Sequence, residues 1–180
     1  MKPMMRAARV VLEDCRSALA SIQDRVSGSD WRWRWVAVVA LLRAVGHVLH
    51  KVDGPTSPSM QAAIQTAFQR WKGDGMFRDF IEHERNNVLK AYRLGAGQSV
   101  TVYAALSAMS IWAGTAPSDS PPPQRRPPSY RYPMTQAPFE GQDQRTVVAD
   151  AIKWWERELD LIDAAVDEPR QTVPPRSPRS

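Results

Sequence analysis

Six consecutive polar residues, Glu82-His83-Glu84-Arg85-Asn86-Asn87, interrupt a stretch that is otherwise periodic in apolar residues. The apolar stripe runs Phe77, Ile81, then Glu84 or Arg85, then Val88 and Tyr92. A charge therefore stands where the helical period asks for an apolar side chain. A buried charge costs several kcal/mol unless a partner meets it. Two uses of this turn are open: an ion pair between helices, or a pocket for acid–base chemistry.

Other residue types suggest weaker chemistry. His47 and His50 are three apart and can share a helix face. With His83 and Glu82 or Glu84 they could ligate a metal, but no HExxH or repeated ExxH pattern is present. Histidines near a helix C-terminus also meet the negative end of its dipole, and that is the preferred reading. No metal and no cofactor are expected, since P-loop and GxGxxG patterns are missing from the sequence. Cys15, the single cysteine, falls on the apolar face of the first helix and reads as a small buried hydrophobe.

Arg85-Asn86 on a helical run resembles the start of the motif of HEPN ribonucleases. In that family an arginine, a polar residue and a later histidine cut RNA at a composite site of two protomers in an all-α bundle. The resemblance covers about ten residues, and the positions for the histidine hold Lys90, Ala91 and Tyr92. It implies an antiparallel helical bundle, often dimeric. If nuclease chemistry holds, it would use Arg85 and Asn86 with Glu84 and His83.

Residues that could grip a macromolecule lie elsewhere. Trp31, Trp33 and Trp35 alternate with Arg32 and Arg34. Trp31 and Trp35 fall on an apolar seam, whereas Trp33 points away from it as a candidate contact. Trp154 lies about 100° around the last helix from the seam residue Trp155 and is a second candidate. Arg125 and Arg126, inside PPPQRRPP, are a third, in a segment that could serve as an inert loop or dock in an aromatic groove.

The net charge of +5 does not make a basic face. Residues 117–139 and 169–180 carry +2 and +3, which is the whole excess. A neutral body with basic Pro-rich segments matches a phosphate-gripping surface poorly, so nucleic acid is not favoured. The longest apolar run, Trp35 to Leu42, is far short of a bilayer span, so no membrane is expected. One cysteine and no signal-peptide pattern suit a reducing cytoplasm.

The positioning elements follow from periodicity. Residues 6–26 predict a helix with Val11, Cys15, Leu19, Ile22 and Val26 inward, stopped by Ser27-Gly28-Ser29. Residues 30–52 carry an unbroken seam of Trp31, Trp35, Val38, Leu42, Val45, Leu49 and Val52, widened by Val39 and Gly46. Ser57-Pro58 opens a third helix with Met60, Ile64, Phe68 and Trp71 inward. Residues 76–93 form a fourth, with Phe77, Phe80, Ile81, Val88, Leu89 and Tyr92 on one side. Residues 99–113 read as strand or short helix. Eight prolines in 117–138 predict a linker or loop. Residues 143–168 form the last helix, capped by Asp143, with Glu156, Asp160, Asp163 and Asp167 on its outer face.

The sequence thus predicts an all-α bundle of about five helices. A single domain spans 1–168 with a Pro-rich loop at 117–139, followed by a disordered basic tail at 169–180. The function expected is non-enzymatic interaction through the bundle surface. The partner would be a protein, and a second copy of the chain is an open alternative. The competing expectation is a HEPN-like RNA-directed nuclease, or an inactive relative.

Overall fold

The seam that begins at Trp31 becomes the axis of the bundle. The computed structural model describes residues 6–97, 99–101 and 129–167. Among these, five α-helices form an all-α bundle: α1 (Ala7–Ala20), α2 (Gly28–Val48), α3 (Pro58–Trp71), α4 (His83–Ala91) and α5 (Gln144–Asp167). A π-helical stretch, Leu49–Asp53, extends α2, and another, Met76–Glu82, leads into α4. Helix α2 packs against α1, α4 and α5. Trp31, Trp35, Val38, Leu42, Val45 and Leu49 are all buried on it, with Val39 and Gly46 beside them. By length and composition Gly28–Thr56 could cross a membrane, against the expectation drawn from its apolar run alone. Here its apolar residues form the bundle core instead, with Arg32, His47, His50 and Lys51 on its exposed side.

The seam ends earlier than its spacing predicts. Val52 is 55% exposed, because the wider π turn rotates less per residue, so the helix falls behind the α phase and Val52 turns outward. Leu89 and Tyr92 are exposed after the second π stretch, and Phe68 lies at the rim of the core rather than in it. Tyr92 also leaves the helix, taking the left-handed capping position at φ 49°. Helix α1 stops at Ala20, six residues before Val26, yet Ile22 is still buried in the turn that follows. Gly28 opens α2 instead of closing α1.

Caps at three helix starts come from different places. Ser57 Oγ accepts from Met60 N at 3.1 Å, as the Ser-Pro pair predicts. Asp143 Oδ1 accepts from Arg145 N at 2.9 Å and opens α5. Helix α1 has no capping side chain of its own. Its first amides, Ala7 N and Ala8 N, donate to the two carboxylate oxygens of Asp53, each at 3.0 Å and from 46 and 45 residues away.

A short antiparallel pair, β1 (Ser99–Thr101) and β2 (Ser129–Arg131), closes one end, with Ser99 opposite Arg131. It settles the start of the 99–113 segment as strand. Just beyond β2, Tyr132 stacks on Trp31 with ring centroids 3.9 Å apart, so part of the Pro-rich stretch belongs to the core. The remainder of that stretch, and the tail from 168 onward, lie outside the described residues.

Candidate functional site

The polar turn of α4 splits its residues among different neighbours. Glu84 is buried, 2% exposed, and its Oε2 accepts from Gly95 N at 3.1 Å. The loop after α4 folds back so closely that a Cβ at Gly95 would collide with this carboxylate. Trp35 Nε1, which closes no hydrogen bond among the described residues, lies near the same carboxylate. Burial raises the Glu84 carboxyl above its ordinary range, and the Gly95 amide and Asn87 side chain only partly offset that. Arg85 donates to Asn86 Oδ1 at 2.9 Å, and both are half-buried. His83 is exposed and hydrogen-bonded to Gln136 Oε1 at 2.9 Å. His83 and Arg85, two apart on a helix, point about 200° apart. The four residues do not share one cleft within the protomer.

The other acids of the interior also have fixed donors. Glu158 accepts from Trp71 Nε1 at 2.6 Å and from Arg70. Asp53 caps α1. The acidic stripe of α5 keeps Asp160 and Asp167 exposed, as expected of an outer face, but Glu156, Asp160 and Asp163 also meet arginines of α1. Arg9 pairs with Asp160 and Asp163 at 2.6 Å each, Arg6 with Asp163, and Arg16 with Glu156. Sequence reading missed this seam because Arg6, Arg9 and Arg16 share a face that only tertiary packing brings to α5.

One face of α2 and its π extension is arranged differently. Arg43, Gly46, His47 and His50 follow each other along one face and line a cavity of about 220 Å³ with Phe68 and Trp71 of α3. The Arg43 guanidinium lies 5.8 Å from the Phe77 ring centroid. It has no ion-pair partner among the described residues; Glu82 and Arg85 act on it only through space. Burial lowers its pKa, Glu82 opposes the fall and Arg85 adds to it. His47 and His50 are exposed at the rim. Among the described residues no group of three His, Cys, Asp or Glu side chains is placed to hold a metal. His83 is engaged with Gln136, so the three-histidine arrangement does not form.

The expected contact residues separate. Trp33 is 55% exposed, with the Arg34 guanidinium 5.0 Å from its ring centroid. Trp154 is not a surface contact: it is 4% exposed and packs edge-on against Trp155 and Trp71 at 4.8 and 5.7 Å. The apolar face of α5 is broad enough to bury both tryptophans. Arg125 and Arg126 lie outside the described residues. Cys15 is fully buried, and burial, with Asp14 adding, pushes its thiol up to about 12.

A larger surface feature was not legible in the sequence. Helices α3 and α5 diverge to leave an open groove of about 790 Å³. Ala62, Ala63 and Thr66 line one wall, and Leu161, Ala165 and Val166 the other. Leu161 is 52% exposed there. No family model matches the chain, and no curated protein or solved structure matches it significantly.

Proposed function

We propose that this protein acts by binding another protein, receiving an amphipathic helix of the partner in the groove between α3 and α5. The observation that carries this reading is the groove's lining. Alanines and Thr66 on α3 leave room for a helix backbone to come close, while Leu161 offers an exposed apolar anchor. Exposed apolar surface in a concavity that also carries Ser59, Thr66 and Arg70 is a feature of interaction sites. Catalysis finds less support, because the α4 polar residues are divided among separate neighbours.

The test fills the groove. Ala62 is exposed, so Ala62→Trp is expected to fold normally while blocking a helix. Pull-down with the full chain, followed by mass spectrometry, is expected to recover a protein that wild type holds and Ala62→Trp loses. Sedimentation of wild type and variant reports whether that partner is a second copy. A partner held equally by both forms, or a folded chain that binds no protein and not itself, would overturn the reading.

A further inference from the structure

The cavity between α2 and α3 holds charge that the packing of the bundle leaves uncompensated. Among the described residues, each of the three buried acids, Asp53, Glu84 and Glu158, accepts hydrogen bonds from fixed donors. Arg43 is a cation half-buried against Phe77, and among the described residues no carboxylate closes on it. Guanidinium groups withdrawn from water ordinarily have a hydrogen-bonded anion. His47 and His50 stand at the rim on the same face, and Lys72 lies 5.2 Å from the Phe68 ring centroid. Among the described residues Glu82 is the acid that acts on Arg43, and it does so through space.

The walls narrow the ligand further. Phe68 and Trp71 supply aromatic surface, and Trp71 already spends its N–H on Glu158. The cavity can offer Trp71 only as an apolar surface. Gly46 lets the Trp155 ring close on α2 behind the cavity: a Cβ there would come within 2.8 Å of that ring. At about 220 Å³ the space falls below the range of drug-sized ligands, roughly 300–1,000 Å³, and suits a single ring. A planar carboxylate matches the fork of one guanidinium. A phosphate dianion would call for more fixed positive charge than one arginine supplies.

We propose that this cavity is a binding site for a small aromatic carboxylate. Arg43 holds the carboxylate, His47 and His50 supply further donors at the mouth, and Phe68 and Trp71 flank the ring. The site is separate from the α3–α5 groove and does not depend on it.

Benzoate, benzamide and inorganic phosphate serve as probes against the full chain, by calorimetry and tryptophan fluorescence. Benzoate is expected to bind one per chain, at least about tenfold tighter than benzamide, the neutral isostere. Phosphate is expected to bind at least about tenfold more weakly than benzoate. Arg43→Met should reduce benzoate affinity at least about tenfold, and Arg43→Lys by less, since it keeps charge but not the fork. Absence of benzoate binding, or equal binding of benzamide, would overturn the proposal on wild-type protein alone, whatever the variants do. Phosphate binding as tight as benzoate would overturn the aromatic assignment. Benzoate binding unchanged in a folded Arg43→Met would place the ligand elsewhere and overturn the site.

Discussion

Glu84 and Arg43 are two charges taken into the same bundle, and they are treated in opposite ways. Glu84 is sealed, and the chain brings a backbone amide to it by folding the loop after α4 across its carboxylate. Arg43 sits in the wall of a cavity, with aromatic rings around it and, among the described residues, no anion closing on it. A polar group met by a fixed donor is part of the fold, because removing either member strands the other. A charge withdrawn from water without such a partner contributes little to folding and is available to something else. The sealed region and the open region can therefore be told apart by mutation.

The largest effect is expected where the sealed region is tightest. Gly95→Ala drives a methyl group into the Glu84 carboxylate, so the loop must lift and the Gly95 amide bond must break. A loss of about 3 kcal/mol is expected in urea unfolding, since overpacking and a stranded buried group add. A loss below about 0.5 kcal/mol, the scale of an ordinary surface substitution, would mean the loop is not held this way.

Glu84 itself sharpens the comparison through pH. Its folded-state carboxyl is raised above the ordinary value of 4.5, first by burial. The folded state then holds its proton more tightly than the unfolded state does. This group's penalty is absent below the unfolded value and grows as pH rises through the raised folded value. Glu84→Gln keeps an oxygen for the Gly95 amide and removes the titration. Its stability relative to wild type is therefore expected to increase from pH 4 toward neutrality, measured by thermal melts across that range. A difference that stays flat with pH would show that Glu84 is as well solvated folded as unfolded.

The sequence made much of this frame legible. The seams of α2, up to Leu49, and of α5, with the Ser57-Pro58 start, depend on local spacing and capping chemistry, and they stand where periodicity puts them. Glu84 or Arg85 was visible as a charge out of place on a stripe, and the structure buries Glu84. Its partner was not, because Gly95 reads in sequence only as a helix stop, while its lack of a Cβ serves a contact 11 residues away. Asp53 likewise reads as the end of one helix, whereas its carboxylate caps the start of another. A clue was present in α1, whose first turn lacks a capping residue of its own. Val52 and Leu89 were misplaced because π turns shift the helical phase without a sequence signal that periodicity can register. Arg43 and His47, four apart, were open to the same helical reasoning. What the sequence could not supply was the wall of Phe68 and Trp71 opposite them.

The smallest effect is expected at Arg43, and its smallness is the point. Arg43→Met keeps an unbranched stem against Phe77 and removes a charge that is desolvated without a hydrogen-bonded anion. Replacing such a charge by an apolar side chain of similar length is expected to be neutral or stabilising by up to about 1 kcal/mol. Urea unfolding of ligand-free protein measures this directly. A loss of 2 kcal/mol or more, of the size about expected when a buried charge loses its partner, would show that Arg43 is as much a part of the fold as Glu84. The distinction between the sealed and the open region would then fail. A neutral result fits a guanidinium whose place in the wall serves something other than the stability of the bundle.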